Sequence, residues 1–145
     1  MKKKVLILKN DRTGDLFVSL NAINRIINKH LNEEIIIFLS NINHKFNFIF
    51  PKLIKKIIPM NLNLFNKLKI FIYILFNNID TVYILTPKNF YYYLPFFFKK
   101  IKFYAITIKS LNNRPPSFLL KYLYKYEVLD RTSIKKRKSS YLIQE

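Results

Sequence analysis

The 145-residue chain contains no cysteine, which excludes both a disulfide framework and a thiolate metal site. Imidazole ligands are also scarce, because His30 and His44 are the only histidines and lie fourteen positions apart. We expect both to be ordinary polar residues at helix ends or in loops rather than a zinc site. The sequence therefore predicts no bound metal and no other cofactor.

The sequence also lacks a hydrophobic run long enough to cross a bilayer. Its longest runs, Ile70–Phe76 and Tyr91–Phe98, fall far short of the roughly twenty residues that a membrane-spanning helix needs, and Pro95 interrupts the second. Near the N-terminus, Val5–Leu8 is too short for the core of a signal peptide. We therefore expect a cytoplasmic protein, with a peripheral position on the inner face of the membrane as an open second location.

Acidic residues are few, and the charge balance is strongly positive. The chain has 26 Lys and Arg against 8 Asp and Glu, a formal net charge of +18. Such a charge favours a nucleic acid or an anionic membrane surface as a partner. The abundance of Lys, Asn, Ile, Phe and Tyr, with a single glycine, is also typical of an AT-rich genome. The charge by itself therefore assigns no partner, and both explanations stay open.

Buried strands and amphipathic helices alternate along the chain. The apolar runs predict five strands, at Val5–Leu8, Glu34–Leu39, Lys56–Pro59, Thr81–Leu85 and Ile101–Ile106. Between and after them the spacing predicts helices from Asp15 to about Leu31 and over Asn41–Phe50, Leu64–Asn77, Asn89–Lys100 and Ser117–Tyr126. This alternation is typical of an α/β, Rossmann-like, doubly wound parallel sheet. We expect residues 1–130 to form this domain and residues 131–145 to form a basic tail or the start of a linker.

In an open parallel sheet, ligands bind outside the carboxyl ends of the strands. The loops that the predicted strands place there are Asn10–Asp15, Ser40–His44, Thr86–Asn89 and Ile108–Arg114. Asn10–Asp15, with the sequence Asn-Asp-Arg-Thr-Gly-Asp, is the most informative. It lacks the three glycines of the dinucleotide fingerprint, and no Gly-Lys-Ser/Thr follows as in a P-loop.

The residues around this turn have a recognisable order. A buried strand is followed by Asp-Arg-Thr-Gly-Asp at residues 11–15 and by a helix with Leu16, Leu20 and Ala22-Ile23. This arrangement resembles the opening of the heptosyltransferase family, glycosyltransferase family 9. Asn21 departs mildly from the family pattern, in which a small residue or proline usually precedes the alanine.

The resemblance implies a fold, a reaction and a set of site residues. The fold would be the N-terminal, acceptor-binding half of a GT-B enzyme that transfers a sugar to the lipopolysaccharide core. The reaction would be inverting and metal-independent, with Asp15 as the catalytic base. A carboxylate can remove the proton from a sugar hydroxyl as that hydroxyl attacks the donor. We assign acceptor binding to the rest of the turn: Lys9, Asp11, Arg12, Thr13 and Gly14.

Structural explanations for the same residues stay open. A carboxylate at a helix start, such as that of Asp15, also caps the helix or interacts favourably with its dipole. Asp11 could simply stabilise the turn, and Arg12 could be an ordinary surface charge. Lys9 and Arg12 would pair with acceptor phosphates if the resemblance holds.

The tract Phe90–Phe98 combines aromatic residues with Lys99, Lys100 and Lys102. Core packing explains one side of a helix here, but one helical face cannot bury every ring, so we expect some to be exposed. The exposed rings could contact a membrane interface or stack on nucleic acid. All three interpretations are retained, with nucleic acid as the least favoured.

A family enzyme needs a second domain to bind the nucleotide-sugar donor, and we expect this chain to lack it. We therefore expect no sugar transfer by the chain alone. It could be a remnant, one part of a split enzyme, or a domain that only binds. The alternative functions are a basic nucleic-acid-binding module and a peripheral membrane-binding module, neither of them catalytic.

Overall fold

The computed structural model of the protein describes residues 2–108 and 115–129. In these two ranges, six strands form one sheet. They are β1 (Lys4–Lys9), β2 (Glu34–Leu39), β3 (Lys56–Pro59), β4 (Thr81–Ile84), β5 (Lys102–Ile108) and β6 (Lys125–Leu129). The helices are α1 (Thr13–Lys29), α2 (Asn41–His44), α3 (Leu64–Phe76), α4 (Asn89–Phe97) and α5 (Ser117–Leu120), with a 3-10 turn at Asn47–Ile49.

All neighbouring strands pair in parallel, in the order β3-β2-β1-β4-β5-β6. The chain starts at the centre of the sheet, moves outward to β3, and returns through α3 to place β4 beside β1. Val5 is in register with both Ile35 of β2 and Thr81 of β4. This strand order is that of the Rossmann fold, and it confirms the predicted α/β class.

Helices cover the two faces of the sheet in separate groups. Val5 and Ile7 point into a core shared with α1 and the segment around α2. Leu6 and Leu8 point into a second core, shared with α3, α4 and α5. Because both faces are covered, β1 shows no polar alternation, and this explains why its sequence is a continuous apolar run.

The helix α1 begins at Thr13, two residues before the predicted start at Asp15. Its amphipathic spacing predicts an inward side, and four residues share it: Leu16, Leu20, Ile23 and Ile27. All are buried except Leu20, which is partly buried. The helix ends against His30, whose Nε2 lies 2.9 Å from Tyr83 Oη. His30 is thus the residue that follows the last turn of α1, as predicted for a polar residue at a helix end. The described residues contain no cluster of His, Cys, Asp or Glu that could hold a metal.

The structure corrects the predicted C-terminal helix. The helix predicted over Ser117–Tyr126 ends at Leu120, and Lys125–Leu129 is instead the sixth strand, paired with β5. In this segment Phe118 is exposed, whereas Leu119 and Leu123 are buried. The spacing of the leucines suits a helix, but backbone hydrogen bonding to β5 forms the strand, and local spacing cannot reveal that pairing.

Smaller differences concern helix ends. The helix predicted over Asn41–Phe50 is two short pieces, α2 and the 3-10 turn. The helix α4 ends at Phe97, three residues before its predicted end, and includes Pro95 two residues before its end. The helix α3 ends at Phe76, one residue before its predicted end. Asn78, just beyond it, has a φ of 51°, a left-handed conformation that asparagine tolerates and that does not continue a helix. Within the described ranges, no helix has the length and apolar character needed to cross a membrane.

Candidate active site

The candidate site lies at the carboxyl ends of β1 and β4, at the switch point of the sheet. The chain leaves β1 toward α1 on one face and leaves β4 toward α4 on the other. In open α/β sheets, this divergence of neighbouring loops creates the ligand-binding crevice. The loop after β5, predicted to contribute Ile108–Arg114, has residues 109–114 outside the described ranges.

Asn10, directly after β1, joins three of the loops at this edge. Its backbone N–H donates to Thr86 Oγ1 at 2.9 Å, and its side-chain amide donates to the Met60 carbonyl. The Tyr91 hydroxyl, at the start of α4, donates to Asn10 Oδ1. Burial raises the pKa of Tyr91 above its usual range, so this hydroxyl stays protonated and remains a donor. The loops after β1, β3 and β4 are therefore held in one arrangement.

The backbone of Asp11 is anchored to the loop that follows β2. Its carbonyl oxygen accepts a hydrogen bond from Ser40 Oγ at 3.0 Å and another from Asn43 Nδ2 at 2.9 Å. Ser40 in turn caps α2 by accepting from the Asn43 backbone N–H. The turn after β1 is thus fixed by side chains from a separate part of the chain.

Lys9 and Asp11 form an ion pair beneath the turn. Lys9 is 2% exposed, and its Nζ lies 2.6 Å from Asp11 Oδ2 and donates to the Leu85 carbonyl at 3.3 Å. Burial raises the pKa of the Asp11 carboxyl, while Lys9 partly offsets this increase and the negative charge of Asp15 adds to it. Lys9, predicted to contact acceptor phosphates, therefore has an internal partner in this structure.

The remaining predicted site residues lie at the start of α1. Arg12 is the exposed N-cap residue and makes no side-chain capping bond, while Thr13 opens the first turn. Asp15 is exposed in that turn, where its negative charge interacts favourably with the helix dipole. No described residue forms a hydrogen bond or ion pair with its carboxylate. Among the two carboxylates of the turn, Asp11 is engaged by Lys9, and Asp15 is open to solvent.

Gly14 is not required by the conformation of the turn or by packing. Its φ is negative, and a Cβ added to it would meet no atom within 4 Å. Glycine lowers helix stability, so its presence in the first turn of α1 has no explanation in the fold. A glycine beside an exposed carboxylate leaves open space that a ligand could occupy.

We expect Gly14→Ala to raise the stability of the domain. Alanine fits the open space and favours the helix, so the free energy of unfolding should rise by about 0.5–1 kcal/mol. Urea denaturation of the two proteins measures this change. A loss of more than about 1 kcal/mol would show that glycine serves the fold rather than a ligand.

The residues that organise the site were not individually predicted from sequence. Asn10, Ser40 and Thr86 each directly follow, or lie within two residues of, a buried strand, and this position at the carboxyl edge was the available signal. Asn43 and Tyr91 lie inside helices, and their roles depend on contacts between distant segments. The sequence marked the loops but could not show which polar side chains join them.

These features define a class of protein: a Rossmann-like domain with an organised polar edge at its switch point. Its fold is similar to that of the glycosyl transferase family 9 protein from Veillonella parvula, with a TM-score of 0.65 and 14% sequence identity. The match covers 98% of this chain and 38% of that one, so the chain spans well under half the length of the protein it resembles.

Other comparisons are weaker or negative. The nicotinic acid mononucleotide adenylyltransferase of Plasmodium falciparum, solved in complex with NaAD, has a TM-score of 0.44 and 14% identity, over 98% of this chain and 79% of that one. No family model matches the sequence, and no curated protein sequence matches it. The likeness to the family 9 protein thus shows a glycosyltransferase-like fold.

Proposed function

We propose that this chain is the acceptor-binding domain of an inverting glycosyltransferase of the heptosyltransferase type, with Asp15 as the catalytic base. The observation that carries the proposal is the position of the Asp15 carboxylate. It is exposed, lacks a partner among the described residues, and lies in the first turn of α1 directly after the central strand. The likeness of the whole domain to a family 9 glycosyl transferase supports the same assignment.

The chemistry requires one base. An acceptor hydroxyl forms a bond to the anomeric carbon of the donor sugar, the bond from that carbon to the nucleoside diphosphate breaks, and the hydroxyl proton passes to Asp15. The diphosphate leaves with the electron pair of the broken bond. Lys9 pairs with Asp11 within the turn, and this supports the open Asp15 carboxylate as the proton acceptor in the proposal.

Arg12 is the group in the turn best suited to binding an anionic acceptor. It is exposed beside Asp15, whereas Lys9 is buried on Asp11. A guanidinium binds phosphate through paired hydrogen bonds, so a phosphorylated lipopolysaccharide-core glycan is the acceptor we propose. The hydrogen-bonded loops around Asn10 and Asp11 hold the turn in place before the acceptor binds.

The donor would be a nucleotide-sugar bound by a second domain. In this proposal the described domain binds the acceptor, and transfer requires the donor domain opposite the carboxyl edge of the sheet. The proposal thus separates two measurable properties: acceptor binding by this chain and transfer by the assembled enzyme.

Acceptor binding can be measured with the purified chain and a phosphorylated inner-core oligosaccharide, using calorimetry. Arg12→Ala should weaken binding by about 10- to 100-fold, because a charged hydrogen bond contributes about 1.5–3 kcal/mol. Arg25→Ala is the matched control, since Arg25 is also exposed on α1 and lies about 20 Å farther along the helix. Arg25→Ala should leave the affinity unchanged.

Two results would contradict this assignment. Equal affinities for the two arginine variants would remove Arg12 from the acceptor site. Absence of binding by the unmodified chain, with the fold verified by circular dichroism, would argue against an acceptor-binding domain.

A further inference from the structure

The helix α3 exposes an apolar stripe along its length. Leu64, Leu68, Ile72 and Leu75 follow helical spacing and are exposed, as are the flanking Phe65 and Phe76. A helix on the surface of a globular domain normally presents polar residues on this side. Here the inward side, with Ile70 and Ile74, is apolar as well. The outward stripe therefore has no role in the core of the domain.

The apolar surface continues from α3 onto α4. The ring of Phe71 in α3 contacts the rings of Phe97 and Phe98, at centroid distances of 5.6 and 4.8 Å. Phe97 and its neighbour Phe96 are exposed, as the notably aromatic sequence of α4 predicts. We call this continuous surface of exposed residues on α3 and α4 the α3–α4 surface. An apolar surface of this extent marks an interaction site.

Lysines surround this surface, and acidic residues are almost absent from it. Between Ile35 and Tyr126 the sequence contains one acidic residue, Asp80, and its carboxylate accepts from the Lys4 backbone N–H at 2.8 Å. The surrounding lysines include Lys67, Lys69, Lys99 and Lys100. Two of them already lie over aromatic rings, Lys69 4.5 Å from the centroid of Phe65 and Lys67 5.8 Å from that of Phe90.

We propose that the α3–α4 surface binds an anionic phospholipid bilayer, with α3 lying in the plane of the interface. A helix lying in the interface inserts its outward apolar side chains below the headgroups while the lysines beside it contact anionic lipids. Lysine stems can lie along the apolar surface with their ammonium groups at headgroup level. The charge pattern disfavours a second copy of the chain as the partner, because contact would bring two lysine-rich, nearly acid-free surfaces together.

This proposal does not rest on the proposed function, because none of its residues belongs to the turn that holds Asp15. It does have a geometric consequence for that turn. The helix α3 begins at the carboxyl edge of the sheet, just after Met60, whose carbonyl accepts from Asn10. A bilayer bound along α3 would therefore lie close to the same edge as the candidate site.

Vesicle flotation tests the proposal and separates lipid binding from aggregation, since only vesicle-bound protein rises. The chain is mixed with vesicles of phosphatidylcholine alone or of phosphatidylcholine with an equal amount of phosphatidylglycerol. The test variant is Leu64→Ser/Leu68→Ser, at residues 83% and 56% exposed. The matched control is Ile42→Ser/Phe48→Ser, at residues 66% and 77% exposed in the segment that packs on the opposite face of the sheet.

We expect the unmodified chain and the control variant to float with the phosphatidylglycerol vesicles. The test variant should bind them at least about tenfold more weakly, because two leucine side chains would no longer be buried in the apolar part of the interface. Since the chain contains no tryptophan, Leu68→Trp also provides a single fluorescent reporter. Its emission should shift to shorter wavelength with these vesicles, and that of Phe48→Trp should not.

Several outcomes would overturn the proposal. One is absence of flotation with either vesicle. A second is flotation that high salt abolishes but that is equally strong for the unmodified chain and the test variant. Such a result would show binding through positive charge alone. A third is self-association that the test variant disrupts, in a chain that does not float. Salt-sensitive binding of duplex DNA in place of vesicles would assign the positive surface to nucleic acid.

Discussion

Asp15→Asn should lower sugar transfer by about 10²- to 10⁴-fold when the chain is assembled with a donor-binding domain. Asparagine has the shape of aspartate but cannot accept the proton of the acceptor hydroxyl. The exposed Asp15 has no partner among the described residues, so its replacement should change the free energy of unfolding by less than about 1 kcal/mol. Transfer is measured as nucleoside diphosphate released, and acceptor affinity is measured in parallel by calorimetry.

Acceptor affinity provides the internal control for this experiment. Asp15→Asn should leave it nearly unchanged, because a base acts in the transition state rather than in the bound complex. Asp15→Glu should restore part of the transfer, since it retains a carboxylate one methylene farther out. If Asp15→Asn transfers sugar at the original rate, another group is the base and the proposed mechanism is wrong.

Lys9→Met is the substitution expected to destabilise the domain most strongly. It removes the cation from a buried position and leaves the Asp11 carboxylate without its partner. Breaking a buried ion pair on one side costs about 3–5 kcal/mol. Urea denaturation at neutral pH should show this loss. The double variant Lys9→Met/Asp11→Asn should recover much of it, because neither charge then remains buried.

The deficit of Lys9→Met should depend on pH in a defined direction. Burial raises the pKa of Asp11 in the folded protein, so its protonated form favours folding and its contribution to stability falls as pH rises through that raised pKa. Without Lys9, which lowers this pKa, the decline should be steeper. The loss of stability in Lys9→Met should therefore be small below the ordinary carboxyl pKa of 3.8 and larger at neutral pH. A deficit of equal size at both pH values would show that lost packing, not charge, is the cause.

The two proposals concern two neighbouring surfaces of one small domain. The proposed acceptor turn lies at the carboxyl edge of the sheet, and the α3–α4 surface begins at that edge on the α3 side. In a membrane-bound orientation, the start of α3 and the neighbouring carboxyl edge would lie near the bilayer surface. The experiments remain separate, because the vesicle variants leave Arg12 and Asp15 intact and the site variants leave α3 intact.

The sequence alone predicted most of the architecture. Continuous apolar runs at Val5–Leu8 and Glu34–Leu39 identified buried parallel strands, and both are present. The amphipathic spacing of Leu16, Ile23 and Ile27 located the inward side of α1. These predictions succeeded because burial on both faces of a sheet, or on one face of a helix, requires a local pattern of apolar residues.

The failed predictions concern segments whose structure depends on distant partners. Lys125 and Tyr126 were predicted to end a helix, and residues 127–129 were assigned to no element. Lys125–Leu129 nevertheless forms a strand, because its backbone pairs with that of β5. The site shows the same limit. Asp11 was considered a turn stabiliser or an acceptor contact, and its ion pair with the buried Lys9 was not predicted. Residues 131–145, predicted to be a basic tail or linker, lie outside the described ranges.

By itself, the sequence determined the strand-helix alternation, the parallel sheet and the placement of Asp15 at the start of a helix, since these depend on local periodicity and turn chemistry. Only the tertiary structure decided that Lys9 is buried on Asp11, that Asn10 links three loops, and that α3 exposes an apolar stripe. The physical reason is that the burial of a side chain and its hydrogen-bond partners are set by segments far away in the chain, which a local pattern does not encode.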